Sequence, residues 1–207
     1  MQPISVAIIT FNEEKNIARC IESVKAIADE VVVLDSFSFD NTIEIAKSMG
    51  AVVHQEKFAG YIEQKNRVLD LTSYNLVLSL DADEALDEIL SQSISELKKR
   101  SDGSAFTMNR CTNYIDRFIR HGLWYPDKKL RLFDKRVARW GGVNPHDKVE
   151  LSGKVAIKHL EGDILHYSYN SIEEHMLQNN KFSTISAEAM YKRGKRTSMF
   201  KIMFNPW

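Results

Sequence analysis

The stretch LVLSLDADEAL, residues 76–86, decides the fold class, because an apolar run ends abruptly in acidic residues. Short continuous apolar runs are typical of strands that are buried on both faces of a parallel sheet. Asp81 and Asp83 follow this run, and residues i and i+2 of an extended chain point to the same side. The repulsion between the two carboxylates has to be offset, and a divalent cation, hydrogen-bond donors or water would each do so.

The first hundred residues repeat this alternation of apolar strand and amphipathic helix. Alternation of that kind predicts right-handed βαβ units and an α/β fold with a mostly parallel sheet flanked by helices. The predicted strands are 4–10, 30–34, 51–54 and 76–80, and the predicted helices are 13–28, 42–49, 61–71 and 86–100.

The pattern changes after residue 100, where short strands alternate with polar and aromatic loops. We predict strands over 105–110, 129–133, 154–158 and 164–167, and a long helix over 171–193. No flexible linker separates the halves, so we expect the second half to pack onto the first sheet as a smaller lobe. The predicted parts are 1–100, 101–170 and 171–207.

The bulk composition narrows the protein class. The formal net charge is zero, with 43% hydrophobic and 27% charged residues, so no overall basic field indicates nucleic-acid binding. The two cysteines, Cys20 and Cys111, are too few for a disulfide framework, and we expect free thiols. The N-terminus lacks the pattern of a signal peptide, and no apolar stretch is long enough to cross a bilayer. These features predict a cytoplasmic protein.

Polar residues follow three of the predicted strands. In open parallel sheets, ligands bind beyond the carboxyl ends of the strands. We therefore expect Thr10-Phe11-Asn12, Asp35 and Asp81-Ala82-Asp83 to converge on one edge of the sheet. Three interpretations of the acidic pair remain open: a metal site, a helix cap by Asp83 or Glu84, and a phosphatase nucleophile. The last is disfavoured because such a pair usually follows the first strand rather than the fourth.

Four segments in register carry a family resemblance: SVAIITFNEEKNIARCIESV, EVVVLDSFSFDNT, GYIEQKNRVLD and LVLSLDADE. Together they resemble the GT-A domain of family-2 inverting glycosyltransferases, and most closely the bacterial branch that adds glucose to the lipopolysaccharide core. The resemblance continues more loosely through KLRLFDKRVARWGGVNPHDKVEL and HLEGDILHYSY. It implies a nucleotide-sugar half over 1–100 and an acceptor half over 101–170.

The resemblance also implies a donor site for a UDP-sugar, with UDP-glucose expected, and a divalent cofactor, Mn²⁺ or Mg²⁺. Phe11 would lie against the uracil and Asp35 would accept a hydrogen bond from it, although Ser36 stands where the family often has a second acid. Lys65 would face the diphosphate or the sugar, Asp81 the ribose or the metal, and Asp83 the metal. The implied nucleotide-binding residues are Thr10, Phe11, Asn12, Glu14, Asp35, Lys65, Asp81, Ala82 and Asp83.

On the acceptor side, the resemblance implies a carboxylate base that deprotonates the attacking hydroxyl. The segment WGGVNPHDKVE makes Asp147 the candidate, with Glu150, Glu161 and Asp163 as alternatives. His166 is a possible third metal ligand beside Asp81 and Asp83, since imidazole binds Mn²⁺ better than Mg²⁺. The residues His121, Trp124 and Tyr125 resemble an acceptor loop, or else anchor the core of the lobe.

The tail KRGKRTSMFKIMFNPW, residues 192–207, combines basic with aromatic and aliphatic residues and has no acid. This composition suits the surface of an anionic membrane, which would match a lipid-linked glycan acceptor. The alternative is packing on this domain or on residues beyond Trp207. Two other functions stay open: a non-catalytic nucleotide- or glycan-binding relative, and a sugar nucleotidyltransferase, which the lack of glycine in TFNEEKN disfavours. The oligomeric state is not predicted.

Overall fold

The computed structural model describes residues 1–100, 103–144, 146–169 and 171–204, without the side chains of residues 201 and 202. Its strands are β1 Ile4–Thr10, β2 Glu30–Asp35, β3 Val52–Gln55, β4 Leu76–Asp81, β5 Glu84–Leu86, β6 Ala105–Tyr114, β7 Arg117–Phe118, β8 Asp127–Asp134, β9 Ala138–Val143, β10 His146–Leu151 and β11 Ile157–Tyr169. Its helices are α1 Ile17–Val24, α2 Thr42–Ser48, α3 Tyr61–Leu71, α4 Glu88–Arg100, α5 Ile172–Lys192 and α6 Met199–Phe204, with a 3₁₀ turn at Gly122–Trp124.

The described residues form one nine-stranded sheet and one hairpin. The sheet order is β3-β2-β1-β4-β8-β6-β11-β5, with β7 paired to β6, and β9 and β10 form the hairpin. Strands β1 to β4 are mutually parallel, β8 is antiparallel to both β4 and β6, and β11 is parallel to β6. Six strands, β1 to β4 with β6 and β11, therefore run in one direction. The predicted α/β fold with a mostly parallel sheet is confirmed.

The strand β1 shows how the sheet is covered on both faces. Val6 and Ile8 pack into a core cluster with residues of α1, α2 and α4, whereas Ala7 packs into a second cluster with Val68 of α3 and Trp140 of β9. All these side chains except that of Trp140 are completely buried. Burial on both faces is the physical reason that the strands read as unbroken apolar runs.

Two element boundaries differ from the sequence prediction at the edge where the strands end. The first helix begins at Ile17 rather than residue 13, and the Glu13 carbonyl accepts hydrogen bonds from the Asn16 and Ile17 amides just before it. The helix predicted from residue 86 begins at Glu88, because β5 pairs with β11 through Leu86 and Ile164.

The predicted strands 154–158 and 164–167 are replaced by one long strand, β11, which starts at Ile157. Gly162 makes the irregular middle of that strand possible. Its φ is +99°, and a β-carbon there would lie 2.2 Å from the Leu90 amide nitrogen of α4. Only glycine allows the strand to approach the helix so closely in this conformation.

The chain after residue 103 continues the same sheet, while the β9–β10 hairpin and helix α5 lie outside it. The division into 1–100, 101–170 and 171–207 stays a prediction. At the C-terminal end, α5 buries none of its residues and α6 exposes Met199, Phe200, Met203 and Phe204. Residues 205–207 of the predicted tail lie outside the described residues. Within the described ranges, every helix is too short or too polar to span a bilayer.

Candidate functional site

Three neighbouring strands end side by side at the candidate site. Thr10 pairs with Asp35, and Ile9 pairs with Asp81, so the carboxyl ends of β1, β2 and β4 form one edge. The Ala82 amide donates to the Ile9 carbonyl at 3.2 Å and holds the segment after β4 against β1. The structure therefore brings these strand-end residues together.

Asp81 lies at the centre of a buried network of charges. Its carboxylate contacts Lys65 Nζ at 3.1 Å and Arg131 Nη2 at 3.3 Å, and the same Lys65 ammonium contacts Asp147 Oδ2 at 2.8 Å. Arg131 Nη2 also lies 2.8 Å from Glu84 Oε1. Burial alone would raise the pKa of Asp81, but Lys65 and Arg131 outweigh it and hold that pKa well below its usual range. One lysine thus joins the acid after β4 to the candidate base.

The β9–β10 hairpin delivers Asp147 to this network. In the hairpin, Asp147 pairs with Gly142, and the neighbouring Trp140 exchanges hydrogen bonds with Asn66 of α3. The Lys65 ammonium lies 4.4 Å from the centre of the Trp140 ring, a cation–π contact. The hairpin is thereby locked to the helix that carries Lys65.

Glu84 and Arg131 were not predicted as site residues. Glu84 is fully buried and accepts a hydrogen bond from the Asp81 amide at 3.0 Å through Oε2. Burial opposes the charge of Arg131, yet Glu84 and Asp81 raise the pKa of its guanidinium. Arg131 was recognisable as a charged residue within the apolar strand segment LRLF, and Glu84 as a third acid beside the pair.

Asp83 has a different partner from Asp81. Its Oδ2 lies 3.2 Å from His166 Nε2, and its carbonyl accepts a hydrogen bond from the Tyr167 amide at 2.9 Å. Both contacts come from β11, which pairs with β5 and places His166 opposite Glu84. The structure thus brings together Asp83 and His166, two of the three predicted metal ligands.

Asp87, rather than Asp83 or Glu84, caps the N-terminus of α4. Its Oδ1 accepts a hydrogen bond from the Leu90 amide at 2.7 Å at the start of α4. Asp83 lies just before β5 and Glu84 is the first residue of β5, so both precede the helix. The Asp83 side chain contacts His166, and the Glu84 side chain contacts Arg131. Capping therefore does not account for the pair.

The fit of a divalent cation depends on Asp83 and His166. Within the residues the structure describes, no three His, Cys, Asp or Glu side chains are arranged to hold a metal ion. Asp81 is paired with Lys65 and Arg131, so it is not a free third ligand. Mg²⁺ and Mn²⁺ sites often use one or two protein ligands and complete the shell with substrate phosphates. A carboxylate with an imidazole fits such a site.

Asp35 lies at the predicted place but is committed to its own loop. It is completely buried; Oδ2 accepts from the Ser38 amide at 2.9 Å and from Gln55 Nε2 at 3.2 Å, and Oδ1 accepts from the Ser38 hydroxyl. A direct contact with a bound base would require this loop to open. Asp35 holds the loop after β2 in shape in this structure.

The loops after β1 and β2 are joined by hydrogen bonds. Asn12, at a φ of +56°, donates its amide to Ser38 Oγ and accepts from the Phe39 amide, and Glu14 Oε2 accepts from both nitrogens of Asn41. The Phe11 ring is half-exposed and meets Phe39 edge-on at 6.0 Å. Asn12 and Glu14 are thus used in bracing, while the Phe11 ring stays accessible.

Asp163 and Glu150, two of the alternative bases, are placed unfavourably. Asp163 is buried and bonded to Arg120 and the Tyr125 hydroxyl. Glu150 alternates to the opposite side of β10 from Asp147 and pairs with Lys148 at 3.4 Å. Of the three alternatives, only the exposed Glu161 is left, and its carbonyl bonds to Ser93 on α4. Asp147 is the carboxylate among these four that meets Lys65.

Two of the predicted acceptor-loop residues, His121 and Trp124, line a cavity of about 320 Å³. Trp124, which is 40% exposed, packs edge-on against Tyr114 at 5.9 Å, and His175 of α5 joins the same aromatic cluster. The third of these residues, Tyr125, instead donates a hydrogen bond from its hydroxyl to Asp163.

The two cysteines, Cys20 and Cys111, are free thiols, as expected, and both are buried.

Two proteins to which this chain is similar are named as glycosyltransferases. The chain is 33% identical over 222 residues to an uncharacterized glycosyltransferase of Rickettsia prowazekii, which covers 98% of this chain and 73% of the relative. It is 31% identical to the lipopolysaccharide core biosynthesis glycosyltransferase LpsC of Rhizobium meliloti, over 99% of this chain and 77% of LpsC.

Solved structures show the same fold at low sequence identity. S. aureus TarS 1-349 in complex with UDP-GlcNAc superposes with a TM-score of 0.59 at 15% identity, covering 85% of this chain and 61% of that one. Another TarS 1-349 structure gives a TM-score of 0.51 at 18% identity, covering 65% of this chain and about half (47%) of that one. The family model for glycosyl transferase family 2 matches residues 5–196. This chain therefore belongs to glycosyl transferase family 2 and is a glycosyltransferase.

Proposed function

We propose that the protein transfers a hexose, with glucose expected, from a UDP-sugar to a hydroxyl group of a lipid-linked glycan such as the lipopolysaccharide core. The single observation that carries the proposal is the Lys65 ammonium, which lies within 3.2 Å of both Asp81 and Asp147. It joins the donor edge of the sheet to the candidate base. The similarity to LpsC supports the choice of acceptor.

The donor's uracil lies against the accessible Phe11 ring in this proposal, since aromatic rings stack on bases. Asp35 acts indirectly, by holding the loop that carries Phe39. Asp81 and Lys65 face the ribose and the diphosphate. Thr10 adds a buried hydroxyl at the same edge, and it has no hydrogen-bond partner among the residues that the structure describes.

Asp83 and His166 are the residues that would hold the divalent cation, with Asp81 kept in place by its two cationic neighbours. A carboxylate and an imidazole suit Mn²⁺ better than Mg²⁺. When bound, such an ion neutralises charge on the departing diphosphate.

Asp147 takes the proton from the acceptor hydroxyl as that hydroxyl attacks the anomeric carbon on the side opposite the leaving group. The reaction is a single displacement with inversion. Lys65 fixes the direction of the Asp147 carboxylate through Oδ2. Trp140, buried beneath Lys65, keeps this ammonium from swinging into solvent.

The C-terminal segment 192–207 makes peripheral contact with the inner face of an anionic membrane in this proposal. Its support is the exposure of the α6 side chains Met199, Phe200, Met203 and Phe204 next to basic residues. Such a contact would bring the donor site to a lipid-linked acceptor.

The test is calorimetric binding of UDP with and without MnCl₂, followed by hydrolysis assays on a panel of UDP-sugars. We expect Mn²⁺-dependent binding and slow hydrolysis of one sugar. Asp83→Ala should abolish the Mn²⁺ dependence, whereas Glu96→Ala, which removes an exposed carboxylate of α4, should not. UDP binding without hydrolysis of any donor would favour a non-catalytic relative, and binding that ignores Mn²⁺ in the unmodified chain would refute the cation site.

A further inference from the structure

A larger cavity lies on the other side of the β9–β10 hairpin from Asp147. It is open to solvent on one side, has a volume of about 550 Å³, and is lined by the outer side of the hairpin and by residues at and just after the C-terminal part of α5. Small-molecule sites commonly have volumes of about 300–1,000 Å³. The cavity is large enough for a sugar with a charged substituent.

Four basic residues line the cavity, together with small and apolar residues such as Ala189 and Met190. His146 and Lys148 come from β10, whereas Arg193 caps the C-terminus of α5 and Lys195 follows in the turn after it. Among the described residues that line the cavity, Glu150 is the one acidic residue, and its Oε1 lies 3.4 Å from Lys148 Nζ.

Arg193 and Lys195 have no acidic partner among the described residues inside the cavity. Within the described part of the chain, neither Arg193 nor Lys195 forms an ion pair with a carboxylate. A helix C-terminus favours positive charge, which accounts for basic residues on α5 by itself. It does not account for Lys148 and His146, which reach the same space from a separate strand. Like charges brought together from two elements repel each other, and a bound anion offsets that repulsion.

The cavity shares its strand with the candidate base. Side chains alternate along β10, so Asp147 points to Lys65 while its neighbours His146 and Lys148 point to the cavity. Asn144, which also lines the cavity, accepts from the Ile62 amide at 3.1 Å and donates to Glu63 Oε2 at 3.0 Å. The hairpin turn is therefore tied to α3, the helix that carries Lys65.

We propose that this cavity binds a phosphate or carboxylate group of the acceptor, so that the enzyme selects an acidic glycan. The proposal rests on the proposed function, because it treats Asp147 as the base that receives the acceptor hydroxyl. Arg193 and Lys195 bind the anion from the C-terminus of α5 and the turn after it, and Lys148 binds it from β10. An acceptor anchored there presents its hydroxyl around the end of the hairpin.

The test is calorimetric binding of glucose 6-phosphate, glucuronate and glucose to the full chain, with UDP and MnCl₂ at saturation so that the donor edge is filled. We expect the two acidic sugars, but not glucose, to bind. The double variant R193A/K195A should bind them at least about tenfold more weakly, since charge-assisted hydrogen bonds contribute about 1.5–3 kcal/mol each.

The matched control is K192A/R196A, which removes the same charge from flanking positions that do not line the cavity. It should bind the acidic sugars within about twofold of the unmodified chain. Equal losses in the two double variants would overturn the proposal, because they would indicate diffuse attraction rather than a site.

Two further outcomes separate this proposal from its neighbours. If the acidic sugars do not bind but anionic phosphatidylglycerol vesicles do, and both double variants lose that binding equally, the surface is a membrane contact and the proposal fails. Metal-dependent hydrolysis of a UDP-sugar is measured on the same preparation without acceptor. Hydrolysis of the UDP-sugar without binding of acidic sugars refutes the proposed anion site but not the proposed function. Binding of acidic sugars without any hydrolysis refutes the proposal that the bound anion belongs to an acceptor.

Discussion

Glu84→Ala is the most informative stability variant, because Glu84 anchors the buried charges beneath the donor edge. Glu84 is fully buried, with Oε1 2.8 Å from Arg131 Nη2 and Oε2 3.0 Å from the Asp81 amide nitrogen. The variant leaves Asp81 as the acidic partner of the buried Arg131. In the described part of the chain, Arg131 Nε and Nη1 already have no hydrogen-bond partner.

Removal of one partner from a buried ion pair costs about 3–5 kcal/mol, and the orphaned Asp81 amide adds to that loss. For a chain of this length, a loss of about 3 kcal/mol lowers Tm by about 6–12 °C. Urea unfolding followed by tryptophan fluorescence at neutral pH measures the loss. Arg131→Met should also destabilise the fold, because it leaves the buried Glu84 carboxylate to the more distant Arg110 Nη1, 3.9 Å away.

The double variant Glu84→Ala/Arg131→Met completes the comparison. It should lose clearly less than the sum of the single losses, because neither lone charge remains buried. A single-variant loss below about 1 kcal/mol, or strict additivity in the double variant, would refute the description of this network as a coupled ion pair.

Three more predictions concern separate residues. Burial raises the pKa of Glu13 from 4.5 to about 7, so the folded chain holds a proton that the unfolded chain releases between those values. The free energy of unfolding should therefore fall as pH rises through this window. Glu13→Gln should reduce this dependence on pH, measured by urea unfolding at a series of pH values. An unchanged dependence would contradict the raised pKa of Glu13. Gly162→Ala places a β-carbon 2.2 Å from a backbone nitrogen of α4, whereas Gly153→Ala, at a similar φ, meets no atom of the described residues within 4 Å. Gly162→Ala should therefore lower Tm far more than Gly153→Ala does. Equal decreases in Tm would disprove the close contact. Lys65→Met leaves Asp81 and Asp147 without their shared cation and should lower the free energy of unfolding by about 3 kcal/mol, measured by chemical denaturation. The double variant Lys65→Met/Asp147→Asn should recover part of this loss. No recovery would argue against an ammonium shared by the two carboxylates.

The sheet was predictable because its strands are buried on both faces, which makes runs such as residues 4–10 and 76–80 apolar except for small hydroxyl residues. The β9–β10 hairpin was not predicted. Its segment ARWGGV carries two adjacent glycines, which are typical of a loop and hid the strand from prediction. A local signal was present, because Ala138 and Trp140, like Val149 and Leu151, alternate with polar residues and pack into the second core cluster. The contacts of the hairpin with Asn66 and Lys65 of α3 are tertiary and have no local signal.

The donor edge was predictable as a set of strand ends, but the partner of each side chain was not. Asp35 was expected to accept a hydrogen bond from a base, which stays a prediction; in this structure it accepts hydrogen bonds from Ser38 and Gln55. Arg131 and Glu84 were missed because their pairing joins β8 to β5, and spacing along the chain does not reveal which strands become neighbours. Charges buried within apolar segments are the signal that would have found them.

The central claim is that Asp147 removes the proton from the acceptor while the donor binds at the edge formed by Asp81 and Asp83. It is tested most directly by Asp147→Asn, with UDP binding in MnCl₂ measured beside the rate of sugar transfer in a single turnover. We predict that the variant binds UDP within about twofold of the unmodified chain and loses at least about a hundredfold in transfer rate. Transfer at the unmodified rate would show that the base lies elsewhere and would contradict this account.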